Sequence, residues 1–287
     1  MTGFGWRAPA CAANDAVPAS GLGRLARPLA FGLSVALLVL AAVVFDLRWH
    51  AFASRGYVGV DYDTYLTAAR RWLDTGSMYF PYQVQGPYVL KPWPYTADIM
   101  PGIYPPHMIY LFAPFLVLPS VLWWAVPLGV TAYVIAAFRP APWTWPIMAG
   151  LVALPDTLSG MIVGNTTMWL MAFVACGLRW NWPSVLVTLK PSLLPFALIG
   201  SRHRSWWAAA VIVGLASLPM LPLWFDYARA VENAGQGPLF SLSSVPALLL
   251  PVVAWLGRSV SDAETGPLPA VASPSGPLRR LPGRLGR

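Results

Sequence analysis

Charged side chains are scarce in this sequence. Only 10% of its 287 residues are Asp, Glu, Lys or Arg, against about 25% in an average soluble domain. Acidic residues are the rarer kind, with 11 Asp and Glu beside 19 Lys and Arg. This composition excludes an ordinary soluble domain, and a hydrophobic content of 57% favours a membrane protein. The sequence therefore predicts an all-α polytopic membrane protein.

Cysteine is almost absent, and so are the common cofactor motifs. Cys11 and Cys176 are the two cysteines, which excludes a disulfide framework and a thiol or zinc spacing. The sequence contains no Walker loop, dinucleotide fingerprint or nucleophile elbow. The net charge of +8 comes from scattered and terminal Arg, without the basic stripe that nucleic-acid binding requires. We expect no cofactor, no metal site and no nucleic acid, and the sequence leaves a need for divalent ions open.

The first long apolar run spans residues 28–45, with Arg24 and Arg27 before it. At 1.5 Å per residue it is long enough to cross a bilayer. Ala51-Phe52-Ala53 resembles a signal-peptidase site, but the run is longer than a signal core, so we expect a retained helix. The upstream arginines place residues 1–27 in the cytoplasm as a disordered segment, and they place the loop after the helix outside.

A transmembrane domain is predicted for residues 28–257, with one large exterior loop at about 47–104. That loop is rich in Pro, Tyr and Trp, which suits a structured segment on the membrane surface. Residues 258–287 are rich in Pro, Gly, Ser and Arg and predict a disordered cationic tail that touches membrane lipids. Counting the first run, we expect about eight transmembrane or half-membrane helices. The seven after the loop are predicted at about 107–118, 120–138, 143–157, 160–178, 184–199, 206–224 and 241–257.

The topology of the middle segments has two interpretations. Simple alternation gives eight crossings and places the loop after Pro155 inside. Alternatively, Arg179 and Arg202 bracket about twenty residues interrupted by Lys190-Pro191, which suits a re-entrant hairpin with Lys190 at its tip. Gly164 and Asn165 would then lie towards the outer face. In either interpretation, the proline-broken helices predict an enclosed cavity within the membrane.

An amphipathic helix is predicted just after the first apolar run. Its apolar residues recur at helical spacing, and Gly76 ends it. Tyr62, Tyr65, Leu66, Ala69, Trp72 and Leu73 form the apolar face, with Arg70, Arg71 and Asp74 opposite. Such a helix lies flat at a bilayer interface. Asp61 stands at its N-terminal end, where it is a helix cap, a carboxylate held at the membrane surface, or both.

Ionisable residues inside apolar segments are candidate sites because they are costly to bury. Lys190 is the clearest, and its two interpretations are a snorkelling lysine and a charge for a phosphate. His107 either binds phosphate or lies at the interface. Asn165, in the patch Gly164-Asn165-Thr166-Thr167, either bonds to neighbouring helices or lines the cavity. Asp156, after Pro155, favours a helix cap.

In order, these segments resemble a known family. Asp61-Tyr62-x-x-Tyr65 opens the amphipathic helix, and Gly76-x-x-Tyr79 follows it. Tyr104-Pro105-Pro106, Gly164-Asn165 and Leu189-Lys190-Pro191 come later. This order is similar to the polyprenyl-phosphate-sugar-dependent glycosyltransferases of the GT-C fold, specifically the glycosyltransferase 87 family (DUF2029), which includes mycobacterial α-1,2-mannosyltransferases. The resemblance covers roughly residues 28–225.

The resemblance implies an integral membrane transferase of the plasma (inner) membrane with a GT-C-like helical bundle. It would move a sugar, typically mannose, from a polyprenyl phosphate to a lipid or glycan on the outer face, with inversion. Asp61 matches the family's general base, and Lys190 matches the position suited to stabilising the leaving phosphate. Six further residues are candidates for substrate binding: Tyr65, Arg70, Arg71, Tyr104, His107 and Asn165. A lipid-linked sugar donor is then the implied partner, and no cofactor is expected.

The chain also departs from the family pattern. The family usually has Gly-Gln-x-Asn where this sequence has Gly164-Asn165-Thr166-Thr167, and family members usually carry more C-terminal helices. A second hypothesis is therefore a catalytically inactive or truncated member that binds a lipid-linked glycan or serves as an accessory membrane protein. A transporter would call for repeat symmetry, and the large loop occurs once.

Overall fold

The computed structural model describes residues 21–86, 103–234 and 242–258. Within those ranges the chain is helical and contains no strand, so the all-α prediction is confirmed. The helices are α1 (Gly21–Ala53), α2 (Val60–Thr75), α3 (Pro81–Gln85), α4 (Ile109–Phe112), α5 (Val121–Phe138), α6 (Thr144–Ala153), α7 (Pro155–Val163), α8 (Thr167–Trp180), α9 (Leu194–Ala197), α10 (Arg204–Ser217), α11 (Leu221–Ala234) and α12 (Val245–Leu256). The predicted boundary at residue 27 falls inside α1. The rest of the predicted N-terminal segment and all but the first residue of the tail lie outside the described residues.

Fewer helices are long enough to cross a membrane than the sequence predicted. Among the described residues, Leu25–Ala53, Val121–Phe138 and Arg204–Ala234 are long and apolar enough, and the pair α6 and α7, bent by 59°, would make a fourth span. The predicted count of about eight is therefore not reached. Apolar helices such as Thr167–Trp180 and Leu242–Leu256 are too short, since about 20 residues are needed to cross the hydrocarbon core.

The termini of the helices meet at two sides of the fold, which we name the α2 end and the opposite end. At the α2 end the start of α2, the start of α5 and the end of α7 meet: Gly59 N donates to Ile162 O at 3.0 Å, and Trp123 Nε1 donates to Gly164 O at 2.7 Å. At the opposite end Ala141 N donates to Gly257 O at 2.7 Å, which joins the end of α12 to the segment before α6. Helices α5 and α12 therefore run from the α2 end to the opposite end.

Residues 181–200 form a hairpin rather than the predicted helix. Two 3₁₀ helices, Trp182–Leu189 and Pro191–Leu193, flank Lys190, because the prolines at 183, 191 and 195 interrupt any continuous α-helix. At the base of the hairpin Ser184 Oγ donates to Ile199 O. At its tip Lys190 Nζ donates to Ser244 Oγ at 3.3 Å, beside the start of α12. The segment therefore has the hairpin shape of the re-entrant alternative, with Lys190 at its tip and Gly164 on the side of α2.

The predicted helix at 143–157 is broken before Pro155, and the polar patch Gly164-Asn165-Thr166-Thr167 follows the second of the two helices. Leu154 is extended (ψ 131°) because a residue before proline avoids the helical region, and Pro155 then begins α7. Gly164 ends α7 in the left-handed region with φ 77°, so residues 164–166 form a turn at the α2 end. The sequence had instead predicted one helix across 160–178.

The predicted amphipathic helix is confirmed as α2, and its apolar face packs on protein. Tyr62 and Tyr65 are buried against aromatic rings of α4, the following 3₁₀ turn, and α5. Tyr65 stacks on Phe112 with centroids 4.6 Å apart, and Tyr62 lies 5.3 Å from Trp124. Gly76 ends the helix, as predicted, with its N–H bonded to Trp72 O. Leu73, near the end of the same face, is exposed and does not join this packing.

Substitution of Gly164 tests the packing of Tyr62 and Trp124 against the end of α7. A Cβ there would lie 2.9 Å from Trp124 Cζ2 and from Tyr62 Cβ. We expect Gly164→Ala to lower the free energy of unfolding by about 1–2 kcal/mol through its positive φ and by about 1–3 kcal/mol more through overpacking. Gly76→Ala is the matched control, because Gly76 has φ 75° with nothing within 4 Å. Equal effects on denaturant unfolding of the two variants in detergent would contradict the packing.

Candidate active site

Asp61 lies in the first turn of α2, half-buried between α2 and the turn that ends α7. Its Oδ2 accepts a hydrogen bond from Asn165 Nδ2 at 2.6 Å. The helix cap is Gly59, without a side-chain cap hydrogen bond, so the capping interpretation of Asp61 is wrong. Burial raises the pKa of the Asp61 carboxyl, and the bond from Asn165 and the positive charge of Lys190 partly oppose the rise. The carboxylate is therefore more basic than an exposed one.

Asn165 has its amide orientation fixed by the backbone. Its Oδ1 accepts from the Thr167 N–H at 3.0 Å and from Thr167 Oγ1 at 2.6 Å. Because a backbone N–H can only donate, the amide oxygen must face Thr167 and the amide nitrogen must face Asp61. The helix start at Thr167 thus aims a donor at the carboxylate.

One chain of hydrogen bonds joins Asp61 to Lys190. The hydroxyl of Thr167 gives its proton to Asn165, so it accepts from Ser244 Oγ at 2.8 Å. Ser244 in turn accepts from Lys190 Nζ at 3.3 Å. Every bond therefore donates in the same direction, from the ammonium towards the carboxylate, and such aligned bonds strengthen one another. We call Asp61, Asn165, Thr167, Ser244 and Lys190 the Asp–Lys network.

Lys190 is half-buried at the tip of the hairpin and outside the candidate spans. Burial lowers the pKa of its ammonium to about 8, and the negative charge of Asp61 opposes that change. The snorkelling interpretation requires an amine that reaches water at the bilayer surface. Here the amine instead points to Ser244, which favours a charge held for use within the protein.

Two predicted tyrosines flank the carboxylate. The hydroxyls of Tyr65 and Tyr104 lie 3.0 Å apart, and Tyr65 OH also accepts from Thr166 N at 3.4 Å. Burial raises the pKa of Tyr104 to about 12, so both groups remain neutral. The Tyr65 hydroxyl is near enough to Asp61 to lower the pKa of the carboxyl. They supply polar contacts without adding charge.

Three other predicted site residues lie elsewhere. Arg70 is exposed. Arg71 Nε donates to Tyr79 O at 2.9 Å, and its guanidinium lies over the Phe80 ring. His107 is buried and stacks on Trp224 with centroids 5.4 Å apart. None of the three joins the Asp–Lys network.

Ser244 and Thr167 are the members of the network that the sequence did not assign. Thr167 belongs to the patch Gly164-Asn165-Thr166-Thr167, so its polar character was visible but its role was not. Ser244 lies 54 residues from Lys190 in the chain, and it follows a segment with no pattern to mark it. Asp156, predicted as a cap, makes no cap bond and is exposed in the first turn of α7.

Replacing Asn165 with aspartate tests the contact to Asp61. In Asn165→Asp two carboxyl groups would share a site about as close as the present 2.6 Å bond, and like charges at that distance raise one pKa strongly. We expect the acid limb of the pH–activity profile to move upward by about one unit or more. Thr166→Val, one residue away, is the control. An unmoved acid limb in Asn165→Asp would contradict the contact.

Comparison with known proteins adds no assignment: no family model, no curated protein and no solved structure matches this chain. The described residues form an all-α fold with three or four helical segments long and apolar enough to span a membrane, which is consistent with a membrane protein. They also contain no group of three or more His, Cys, Asp or Glu placed to hold a metal ion. The chemistry that the site offers is a basic carboxylate and an ammonium, linked through neutral side chains.

Proposed function

We propose that this chain is an integral-membrane glycosyltransferase. It would move a sugar, mannose in our proposal, from a polyprenyl phosphate to a lipid or glycan acceptor. The observation that carries the proposal is the Asp–Lys network, which holds a half-buried carboxylate and a half-buried ammonium in one site. The resemblance of the Asp61, Tyr104 and Lys190 segments to the glycosyltransferase 87 family supplies the reaction class.

In the proposed reaction the Asp61 carboxylate takes the proton of an acceptor hydroxyl. The acceptor oxygen then attacks the anomeric carbon, and the bond from that carbon to the phosphate oxygen breaks with inversion. Its electron pair leaves with polyprenyl phosphate, whose developing charge Lys190 stabilises. The raised pKa of Asp61 supports the role of base. Charge on Lys190 supports the role of phosphate partner because an ammonium is a strong point charge.

Charge distribution supports an orientation with the α2 end outside. Acidic side chains of the described residues lie towards the α2 end, in segments 46–74, 156 and 226–232. The opposite end carries six described arginines and no described Asp or Glu, namely Arg27, Arg139, Arg179, Arg202, Arg204 and Arg258, whereas the α2 end carries five arginines beside its acidic residues, namely Arg48, Arg55, Arg70, Arg71 and Arg229. Because cytoplasmic segments of membrane proteins are enriched in Lys and Arg, we place the opposite end in the cytoplasm, the protein in the plasma (inner) membrane, and Asp61 at the outer face.

We also propose that the helices form a GT-C-like bundle. The short helices α8 and α12 and the 181–200 hairpin would be its half-depth elements, packed against longer spans. Irregular backbone of this kind is tolerated within a membrane where protein or a wet cavity surrounds it. The described geometry is compatible with this, since the hairpin packs on α8 and α10 and its tip bonds to Ser244 of the network.

Transfer by the wild-type protein is the experiment that tests the function. Membranes carrying the protein would be supplied with radiolabelled polyprenyl-phosphate mannose and a lipid extract, beside membranes without it. We expect a new labelled lipid or glycan only where the protein is present. Donor binding without transfer, for this and other sugars, would overturn the proposal in favour of the accessory role. Against that role, Asn165 still donates to Asp61 although the family's usual amides are displaced.

A further inference from the structure

A pocket opens at the opposite end of the fold, away from the Asp–Lys network. It has a volume of about 340 Å³ and lies between the end of α8, the base of the 181–200 hairpin, the segment before α10 and the end of α12. Asn181 ends α8, and Trp255 belongs to the last turn of α12. None of the described lining residues is a member of the network, so this is a separate site.

The polar side chains of this pocket are accessible and unpaired. Arg202 and His203 are exposed, and Asn181 and Ser201 are half-buried. None of these four side chains makes a hydrogen bond or an ion pair with another described residue. Guanidinium, imidazole, amide and hydroxyl groups all donate hydrogen bonds. The pocket therefore offers a ligand several donors that the fold itself does not use.

The charge at this pocket is positive and lacks an acidic counterpart. Arg202 lines it, and the Arg258 guanidinium lies 4.2 Å from the ring centroid of Trp255, which also lines it. The described residues at this end of the fold include no Asp or Glu. A guanidinium matches the geometry of a phosphate and binds it through two hydrogen bonds. The pocket therefore favours an anion, and a phosphate group above all.

Exposed tryptophans place this end of the fold at the level of lipid headgroups. Trp49 is exposed at the α2 end, whereas the other five exposed tryptophans among the described residues lie at the opposite end, namely Trp143, Trp145, Trp180, Trp182 and Trp207. Tryptophan is enriched at the boundary between membrane and water. Trp207 Nε1 also donates to Ser201 O at 2.9 Å, which connects these tryptophans to the rim of the pocket.

One wall of the pocket is apolar. Leu178, Leu198 and Val252 form it beside the polar side chains, and Leu198 is 54% exposed. A soluble anion would use the polar side alone. A phospholipid would use both sides, because its phosphate would meet Arg202 while an acyl chain packs on Leu198.

We propose that this pocket binds the phosphate headgroup of an anionic phospholipid. Arg202 supplies the charge, and Asn181 and His203 supply further hydrogen bonds. Basic pockets between membrane helices are known to hold lipid headgroups of this kind. The site does not depend on the proposed transferase activity. In the orientation proposed above, the lipid would belong to the cytoplasmic leaflet.

Native mass spectrometry of purified, delipidated protein tests this site. Wild type, Arg202→Gln and Arg27→Gln would each be titrated with phosphatidylglycerol and with phosphatidylcholine. Arg27→Gln is the matched control, because Arg27 is exposed at the same end but lies on α1, outside the pocket. Arg202 is exposed and unpaired, so its replacement should leave the fold intact.

We expect wild type to prefer phosphatidylglycerol by about fivefold or more. Arg202→Gln should weaken phosphatidylglycerol binding by about tenfold, the scale of one hydrogen bond to a charged group. Arg27→Gln should stay within about twofold of wild type. Equal phosphatidylglycerol affinity in the three proteins, or no preference over phosphatidylcholine, would overturn the proposal.

Crosslinking then locates the lipid and distinguishes it from a soluble anion. Phosphatidylglycerol with a photoreactive acyl chain should label α8, the 181–200 hairpin, α10 or α12, and labels confined to other segments would overturn the site. Inorganic phosphate should leave this labelling unchanged relative to sodium chloride of equal ionic strength. Specific loss of the label with phosphate would assign the pocket to a soluble anion and overturn the lipid. These outcomes are independent of whether the protein transfers sugar.

Discussion

Asp61→Asn is expected to reduce the rate of sugar transfer by about 10³-fold or more, within the range attributed to general bases. The amide has nearly the shape of the carboxylate but cannot take the acceptor's proton. Its oxygen can still accept the bond that Asn165 now gives to Asp61 Oδ2, so the turn at Gly164 should survive. The measurement is the initial rate of labelled product formation in purified protein at saturating donor.

Asp63→Asn is the control for that experiment. Asp63 is exposed in the same turn of α2, and its replacement removes the same charge from the same helix end. We expect Asp63→Asn to keep transfer within about twofold, since single exposed charges contribute little. Equal losses in the two variants would assign the effect to the helix and remove Asp61 from the chemistry.

Lys190→Met is expected to lower transfer by about 10²–10³-fold, the scale for removing one group that stabilises developing charge. The ammonium is the only charged member of the Asp–Lys network besides Asp61, and methionine keeps the length of the stem without the charge. Arg70→Met is the matched control, because Arg70 is exposed and outside the network. A similar rate in Lys190→Met and wild type would show that another group holds the phosphate.

The pH dependence of transfer gives Lys190 a second test. Asp61 must be ionised, and its raised pKa moves the acid limb above the usual range of an aspartate, with activity lost as pH falls. Lys190 must be protonated, and its pKa of about 8 predicts activity lost as pH rises through that value. The two limbs belong to the coupled pair. Arginine stays charged in proteins, so Lys190→Arg should keep measurable activity and lose the alkaline limb; an alkaline limb near pH 8 in that variant would contradict the assignment.

The candidate site was largely predictable from the sequence because it contains ionisable side chains, whose burial costs free energy. Asp61 and Lys190 stand out as charges beside apolar runs, and Asn165 as an amide between them. The structure bonds Asn165 to Asp61 across 104 residues of separation, and it links Asn165 to Lys190 through Thr167 and Ser244. The turns at Gly76 and Lys190-Pro191 were predictable because glycine and proline restrict the backbone in known ways.

Other features were not predictable from one sequence. Nothing local distinguishes Ser244 from any serine before a helix, because its role depends on Lys190 arriving from the hairpin. Arg71 and His107 looked equally suited to binding a phosphate. In the fold, however, Arg71 donates to the Tyr79 carbonyl and His107 stacks on Trp224. The number of crossings was overestimated because apolar composition alone does not separate half-depth helices from full spans.

The central claim is that Asp61 acts in the chemical step and not in binding. It is tested most directly by measuring donor binding and single-turnover transfer side by side on purified wild-type and Asp61→Asn protein, with labelled polyprenyl-phosphate mannose and a lipid acceptor. We predict donor affinity within about threefold of wild type and a transfer step slowed by about 10³-fold or more. Transfer at the wild-type rate by Asp61→Asn would contradict the account.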